Sequence, residues 1–179
     1  MRKILGGTVA AALALSLAAT SVFAANPGAR PGDSTIVEIV LAPDGEFDVL
    51  QAAVIEAGLA GALSSTDNQY TVFAPTDLAF VTTFRAVLGN DSLTEANVIT
   101  FIEAGGVDEA FGDGALADIL LFHVTNGRRT SKSVVAAPRY QMLNGSSLSR
   151  NALFSAGIAA VDVSASNGVI HMINGVLLP

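Results

Sequence analysis

The chain has 179 residues with nine basic and sixteen acidic side chains, a formal net charge of −7, and neither cysteine nor tryptophan. This length suits one domain. The acidic balance excludes a nucleic-acid binder, because contacts to phosphate need clustered lysine and arginine. Without cysteine, the chain has neither a disulfide nor a thiol nucleophile.

The N-terminal segment has the three-part pattern of a secretory signal peptide. Met1-Arg2-Lys3 is positively charged, residues 4–19 form an uncharged run rich in alanine and leucine, and Val22-Phe23-Ala24 provides permissive residues before a cut. A membrane anchor is the alternative, but the run is shorter than the roughly 20 residues of a spanning helix. We predict a signal peptide over residues 1–24, cleavage after Ala24 and export to the periplasm, the cell envelope or the medium, without a transmembrane span.

The segment that follows the predicted cleavage site is rich in proline and glycine. Residues 25–33 therefore predict a flexible leader. The mature chain would keep seven basic residues against sixteen acidic ones, a net charge of −9. Its one basic cluster is Arg128, Arg129 and Lys132, which is too small for a nucleic-acid groove and predicts a solvated loop.

Helical patterns begin after the leader. Thr35 and Glu38 stand three residues apart and predict a capping box, in which each side chain accepts a bond from a free backbone N–H. Residues 47–63 continue with apolar residues at helical spacing. The apolar positions predicted to be buried in these two segments are Ile36, Ile39, Val40, Leu50, Val54, Ile55 and Leu59.

The pattern changes at residues 69–75, where β-branched and aromatic residues predict a strand that Pro75 ends. Thr76 and Asp77 then predict the cap of a helix. Ser92 and Glu95 predict a second capping box. Further on, residues 116–122 predict a helix and residues 123–127 predict a short strand that enters a turn.

The last third of the chain is predicted to be mostly β from Ser131 onward. Asn144-Gly145 and Asn167-Gly168 are turn signals, and the second lies between two apolar-rich runs, which is a strong sign of a hairpin. The closing strand is predicted to bury Ile170, Ile173 and Leu177. Helices come first and strands later, an order that indicates the α+β class rather than a doubly wound sheet.

Three separated segments resemble the signatures of fasciclin (FAS1) domains. Residues 71–80, Thr-Val-Phe-Ala-Pro-Thr-Asp-Leu-Ala-Phe, resemble the first signature, and residues 162–179 resemble the second. Residues 119–124, Ile-Leu-Leu-Phe-His-Val, resemble the central motif, in which a Tyr-His pair is usual. The resemblance is to the bacterial, secreted, single-domain type. It implies one FAS1 domain over residues 34–179, with a compact wedge or sandwich of β-strands packed against several α-helices.

The resemblance also marks residues that would maintain this fold. They are Phe73, Pro75, Thr76, Asp77, Phe80, Asn167, Gly168 and His171. For Asp77 a capping role is favoured over general-base chemistry, because a cap needs only free N–H groups. His123 and His171 have apolar neighbours and no metal-ligand spacing, so both are predicted to be structural histidines bonded to backbone.

The resemblance implies an extracytoplasmic adhesion or matrix-binding module without catalysis. Family members with mapped contacts use the central Tyr-His pair and an Asp-Ile pair near the second signature. These positions correspond to Phe122-His123 and Asp162-Val163. Phe122 lacks the phenol hydroxyl of the usual tyrosine, and Val163 replaces isoleucine.

Catalytic and metal-binding patterns have little support. There is no Gly-x-Ser-x-Gly motif, the glycines at 105–106 and 112–114 precede no phosphate-loop lysine, and Asp108, Glu109 and Asp113 lack the spacing of a calcium loop. We therefore predict a monomer without enzymatic activity, cofactor or metal that binds a cell-surface or matrix protein or a polysaccharide. The alternative is an extracytoplasmic carrier of a small apolar ligand, because ligand pockets are mostly apolar. A hydrolase has the least support.

Overall fold

The computed structural model describes residues 32–42 and 45–179. The predicted signal peptide and residues 25–31 of the predicted leader lie outside these ranges. The helices are α1 (Ile36–Val40), α2 (Asp48–Glu56), α3 (Ala60–Ser64), α4 (Asp77–Leu88), α5 (Glu95–Glu103), α6 (Gly106–Phe111), α7 (Ala115–Leu121), α8 (Ser131–Ala136) and α9 (Arg150–Ser155). The strands are β1 (Tyr70–Pro75), β2 (Val124–Asn126), β3 (Arg139–Gln141), β4 (Ser147–Ser149), β5 (Ile158–Ala165) and β6 (Gly168–Ile173).

The main sheet has the strand order β2-β1-β6-β5. β1 and β6 run parallel, whereas β1 with β2 and β5 with β6 are antiparallel. β3 and β4 form a separate antiparallel pair. The four-stranded sheet is therefore complete only when β1, from the first half of the chain, pairs with β6, the last strand. Helices and mixed strands in this arrangement confirm the predicted α+β class.

Both faces of the two central strands are buried, so each face needs its own apolar layer. Val72 and Ile170 point to one face and join the helical core around α1, α2, α4, α5 and α7. Phe73 and Ile173 point to the other face. There they meet a smaller core from α8, β3, β4 and α9, which includes the fully buried Tyr140. The sheet is thus the middle of three layers.

The predicted closing strand lies at the centre of this packing. Ile170 and Ile173 are 0% exposed and Leu177 is 5% exposed, so their predicted burial is confirmed. The predicted strand at 69–75, the helix at 116–122 and the strand at 123–127 are also confirmed, as β1, α7 and β2. These segments share a strong apolar or β-branched pattern bounded by a proline, a glycine or a change of period.

The segment 47–63 is two helices instead of one. Gly58 has φ +66°, the left-handed conformation that ends α2 after Glu56, and α3 starts at Ala60. Leu50 and Val54 are buried as predicted, but Ile55 is 57% exposed, so its predicted burial is wrong. Helical spacing alone did not reveal which apolar residues faced the sheet.

One of the two predicted capping boxes is confirmed. In the first, Glu38 N–H donates to Thr35 Oγ1 (3.2 Å) and Thr35 N–H donates to Glu38 Oε2 (2.7 Å). The box predicted from Ser92 is wrong, because the last non-helical residue before α5 is Thr94. Thr94 exchanges the two bonds with Asn97, whose amide oxygen does the work of the expected glutamate.

The last third of the chain contains strands β3 to β6 but also helices α8 and α9, so the mostly β prediction is only partly right. The hairpin between β5 and β6 is confirmed, yet its two-residue loop is Ser166-Asn167, with Ala165 paired to Gly168. Gly168 belongs to β6 because a Cβ there would lie 2.2 Å from the carbonyl oxygen of Tyr70. The glycine therefore allows a close approach of strands instead of forming the turn.

Candidate functional site

Asp77 caps a helix, but not the one that it begins. Thr76 caps α4 by accepting a bond from Ala79 N–H (3.3 Å). The Asp77 carboxylate accepts from the first N–H groups of α2, those of Asp48 (3.2 Å) and Val49 (2.9 Å). The N-cap residue of α2 is a phenylalanine and has no acceptor of its own. Asp77 therefore links the start of α4 to the start of α2, and its predicted capping of the helix that follows it is wrong only in the choice of helix.

Three carboxylates meet at this point. One oxygen each from Asp48, Asp77 and Glu95 lie within 4.8 Å of one another. Burial raises the pKa of Asp77 from 3.8 to about 6, against the lowering effect of its two backbone hydrogen bonds, and the charges of Glu95 and Asp48 add to the rise. These are the oxygen donors that a divalent cation would use. Both Asp77 oxygens are already engaged by backbone N–H groups, which favours the structural role.

His123 is buried and bonded to backbone on both sides of its ring. Its Nδ1 donates to the carbonyl of Ile119 (2.7 Å), and its Nε2 accepts from Leu177 N–H (2.9 Å). These partners require the neutral Nδ1–H tautomer. Burial lowers the pKa of His123 from 6.5 to about 4, although the Ile119 bond raises it. His123 therefore joins α7 to the segment after β6.

His171 lies in the central strand β6 and joins three segments. Its Nε2 donates to the carbonyl of Arg129 (2.9 Å), and its Nδ1 accepts from Asp162 N–H (3.3 Å). Its ring stacks on Phe73 with the centroids 5.8 Å apart. Since both histidines use both ring nitrogens on backbone groups, neither offers a free general base.

Asp162 has an unusual backbone. It is the only residue other than glycine with a positive φ (62°) in the described part of the chain. It lies where the pairing of β5 with β6 shifts register, between Ala160 and Val163, which is a β-bulge. Its carboxylate accepts from Ser131 N–H (2.8 Å) and Ser131 Oγ–H (2.6 Å) at the start of α8. These bonds lower the pKa of Asp162.

The two pairs that the resemblance marks for partner contact lie in different environments. Phe122 and His123 are 5% and 3% exposed, next to β2 at one side of the sheet. Asp162 is exposed and Val163 is half-buried, on the edge strand β5. Phe73 connects them, because its N–H donates to the carbonyl of His123 (2.9 Å) while its ring stacks on His171. Only the Asp162-Val163 pair is accessible to a partner without rearrangement.

The basic cluster is tied down more firmly than predicted. Arg128 donates to the carbonyl of Ala165 (2.9 Å) and to Ser164 Oγ (3.1 Å). The Arg129 guanidinium lies 5.9 Å from the centroid of the Tyr140 ring, and its buried Nε has no hydrogen-bond partner among the described residues. The prediction of a solvated loop is therefore right for Arg128, which is exposed, and wrong for Arg129, which is partly buried. Lys132 is exposed as predicted but belongs to α8 and not to a loop.

Basic and acidic side chains lie in different segments of the chain and, in the folded domain, on different faces of the sheet. Residues 119–161 contain five basic side chains and no acidic one. They are Arg128, Arg129, Lys132, Arg139 and Arg150. This stretch builds α8, β3, β4 and α9, so the layer on that face of the sheet is basic while the helical layer on the other face is acidic. Asp162 lies on the basic side, with Lys132 close enough to lower its pKa.

The pKa values of Asp77 and His123 predict opposite effects of pH on stability. Asp77 is more basic in the folded state (about 6 against 3.8), so its stabilising contribution is full below pH 3.8 and is lost as pH rises through 6. His123 is less basic in the folded state (about 4 against 6.5), so its contribution is present above pH 6.5 and is lost as pH falls through 4. The two effects oppose each other in the same window.

Urea unfolding between pH 4 and 6.5 separates the two groups. For Asp77→Asn we expect stability to fall with decreasing pH more steeply than in the wild type, because only the His123 effect remains, about 3 kcal/mol over the window at about 1.4 kcal/mol for each pKa unit. His123→Gln should instead become more stable as pH falls. Asp162→Asn is the control, since its pKa is lowered below 3.8 and its effect lies at more acidic pH. If the wild type, Asp77→Asn and His123→Gln gave parallel profiles of stability against pH, the pKa shifts assigned to Asp77 and His123 would be contradicted.

Comparison with known proteins agrees with the geometry. Residues 45–179 match the model of the Fasciclin domain family. The chain is 36% identical over 155 residues to transforming growth factor-beta-induced protein ig-h3 of Sus scrofa, a match over 83% of this chain but only 20% of that longer protein. It is 34% identical over 151 residues to protein sll1483 of Synechocystis sp., over 81% of this chain and 73% of that protein.

A solved structure supports the fold independently. The FAS1 domain pair of the insect cell adhesion molecule Fasciclin I superposes with a TM-score of 0.53 at 16% identity, over 83% of this chain and 52% of that chain. Within the described residues, no helix is both long and apolar enough to cross a bilayer. The match over residues 45–179 covers more than half of the chain, and the Synechocystis relative fits the predicted bacterial single-domain type. The chain therefore belongs to the fasciclin family.

Proposed function

We propose that the protein is an exported, monomeric and non-catalytic interaction module that binds a cell-surface or matrix protein or a polysaccharide. Family membership supports a binding role, and the similar Fasciclin I is a cell adhesion molecule. The N-terminal pattern supports export, with a signal peptide over residues 1–24 and a leader over residues 25–33. The engagement of both histidines by backbone supports the absence of acid–base catalysis.

The proposed domain begins at residue 34, which is earlier than the family match at residue 45. Its first residues make specific bonds to the β5–β6 hairpin. Ser166 N–H donates to the carbonyl of Ser34 (2.8 Å), and Ile36 N–H donates to Asn167 Oδ1 (2.8 Å). These long-range bonds favour a folded unit that begins at residue 34.

The single observation that carries the proposal is the backbone of Asp162. A left-handed aspartate in the middle of an edge strand costs free energy, and such strain persists where the surroundings hold it for a function. Three bonds hold Asp162 here, two from Ser131 and one to His171. The bulge presents Val161, Asp162 and Val163 at the sheet edge, and we call these three residues the bulge surface.

The neighbourhood of the bulge surface suggests the charge of the partner. Val161 is 46% exposed, and the basic side chains of residues 128–150 belong to the adjacent layer. An apolar centre with a polar, charged margin is typical of protein–protein interfaces. The basic layer favours a partner that carries acidic groups, which would also bind faster at low salt. Phe122 and His123 are buried and would act on the bulge surface only indirectly, through the contacts of His123 with Phe73 and of Phe73 with His171.

Attachment assays with surface variants test the proposal. In a strain lacking the gene, wild-type protein should restore attachment or aggregation, and Val161→Asp should fail because it places a charge at the apolar centre of the contact. Ile55→Asp is the matched control: Ile55 is 57% exposed, comparable with Val161, but lies on α2, away from the bulge surface. Both variants should melt like the wild type. Equal restoration by Val161→Asp and the wild type would refute the assigned surface, and unchanged attachment in the deletion strain would refute the adhesion role.

A further inference from the structure

An apolar cleft lies on the helical side of the molecule, away from the bulge surface. Its walls are α4, α7, the loop of residues 112–114 before α7, and residues 176–179. Its volume of about 660 Å³ falls within the range of small-molecule sites, roughly 300–1,000 Å³. This cleft could hold the small apolar ligand of the alternative function.

The cleft has a buried floor and an exposed apolar rim. Phe80, Leu116 and Leu120 form the floor and are 3–6% exposed. At the rim, Val87 is 45% exposed and Phe111 is 50% exposed. A bound molecule that covers this rim would remove apolar surface from water, which contributes about 25 cal/mol for each Å². The rim residues gain most of that burial, because the floor is already covered by the fold.

The charged side chains that line the cleft determine which head-group charge a ligand can carry. Asp113 and Asp118 are its only ionisable lining residues among those described, and no lysine, arginine or histidine lines it. Asp118 Oδ2 accepts one bond from Asn144 Nδ2 (3.3 Å). An anionic head group would approach two carboxylates without a compensating cation, whereas a cationic head group would be attracted to both.

We infer that the cleft binds an apolar small molecule whose polar end is cationic or neutral and not anionic. Fatty acids and acidic lipids are thereby excluded as preferred ligands, while long-chain amines, quaternary ammonium compounds and alcohols fit. The helical layer that surrounds the cleft carries an excess of acidic side chains, with Arg85 on α4 as a basic exception, which extends the same preference to the approach of the ligand. The inference does not depend on the proposed adhesion role, since the two sites share no residue.

Calorimetric titration with three ligands of equal chain length tests the inference directly. Decyltrimethylammonium, decanol and decanoate differ only in head group, and all are used below their micelle concentrations near neutral pH. We expect the ammonium compound and the alcohol to bind about tenfold more tightly than the carboxylate, since each exposed carboxylate contributes up to about 1 kcal/mol near its target. Absence of binding by all three, equal affinities or a preference for decanoate would overturn it.

Variants separate the apolar cleft from its charge. Asp113→Asn combined with Asp118→Asn should abolish the discrimination while leaving the affinity for decanol unchanged; Glu56→Gln, an exposed acid outside the cleft, is the control. Phe111→Ala should weaken the affinity for all three ligands about tenfold with little effect on melting, because Phe111 is half exposed.

A second copy of the chain is the competing occupant of the cleft. Concentration-dependent dimers in ultracentrifugation that Phe111→Ala abolishes would show self-association instead and overturn the inference.

Discussion

Removal of residues 170–179 is expected to abolish the folded state. The deletion takes away most of β6, which pairs with β1 on one side and β5 on the other. It also removes three buried side chains, Ile170, Ile173 and Leu177, each of which would cost about 2–5 kcal/mol if truncated to alanine. A domain of this size has only about 5–15 kcal/mol in total. The loss of these side chains is therefore as large as the stability available, and the loss of the strand pairing adds to it.

Two further contacts disappear with the same residues. His171 no longer holds the bulge at Asp162, and His123 loses the N–H of Leu177, which leaves a buried ring nitrogen without a partner. Circular dichroism and thermal melting of the truncated protein should show loss of cooperative unfolding. Deleting only Leu178 and Pro179 is the control, because both are exposed and should be dispensable for folding. A soluble, cooperatively melting protein without residues 170–179 would contradict the position of the core.

The elements that could be predicted from sequence are those whose signals are local. The strand at 70–75 has β-branched residues and a closing proline, and the Thr35–Glu38 box depends on residues three apart. The last strand has an apolar run after a turn signal, and it is the best example. Boundaries were predicted less well where a single residue decided them, as Gly58 does between α2 and α3. Helical spacing does not contain that information.

The residues of the candidate site were found by resemblance, but their partners were not. Asp77 is 28 residues from Val49, and Asp162 is 31 residues from Ser131, so no local pattern relates them. A weak signal did exist. It concerns α2, whose N-cap residue Phe47 offers no acceptor. It does not extend to α8, because Thr130 is a residue type that caps helices and only the structure shows that it makes no side-chain capping bond. A helix that starts without a cap predicts that an acceptor arrives from elsewhere in the fold.

The apolar cleft illustrates a third limit of the sequence. Its floor and rim come from α4, α6, α7 and the residues after β6, which lie up to about 100 positions apart. Each of these segments has an ordinary amphipathic pattern. The excess of apolar residues predicted a pocket only in general terms, and its position and its two carboxylates depend on how the helices pack. Ligand charge is therefore a property of the folded molecule.

Asn167→Ala is expected to destabilise the domain by about 5 kcal/mol. Asn167 is 0% exposed, and its amide group makes three bonds to backbone. Oδ1 accepts from Ile36 N–H (2.8 Å), and Nδ2 donates to the carbonyls of Leu63 (2.8 Å) and Ser65 (3.0 Å). Alanine would leave these three groups without partners, at about 1–3 kcal/mol each. The same amide joins α1, the end of α3 and the β5–β6 hairpin.

Asn167→Asp distinguishes the acceptor from the donor. Aspartate keeps an oxygen for Ile36 N–H but turns the other oxygen, charged and buried, toward the carbonyls of Leu63 and Ser65, so it should destabilise at least as much as alanine near neutral pH. The stability of this variant should recover in part as the pH falls, because a protonated carboxyl group can donate to one of these carbonyls. Asn174→Ala is the matched control, because Asn174 is exposed and its side chain makes no hydrogen bond in the described part of the chain. If the free energy of unfolding of Asn167→Ala in urea lay within about 1 kcal/mol of the wild-type value, these three bonds would not hold the hairpin to the helices.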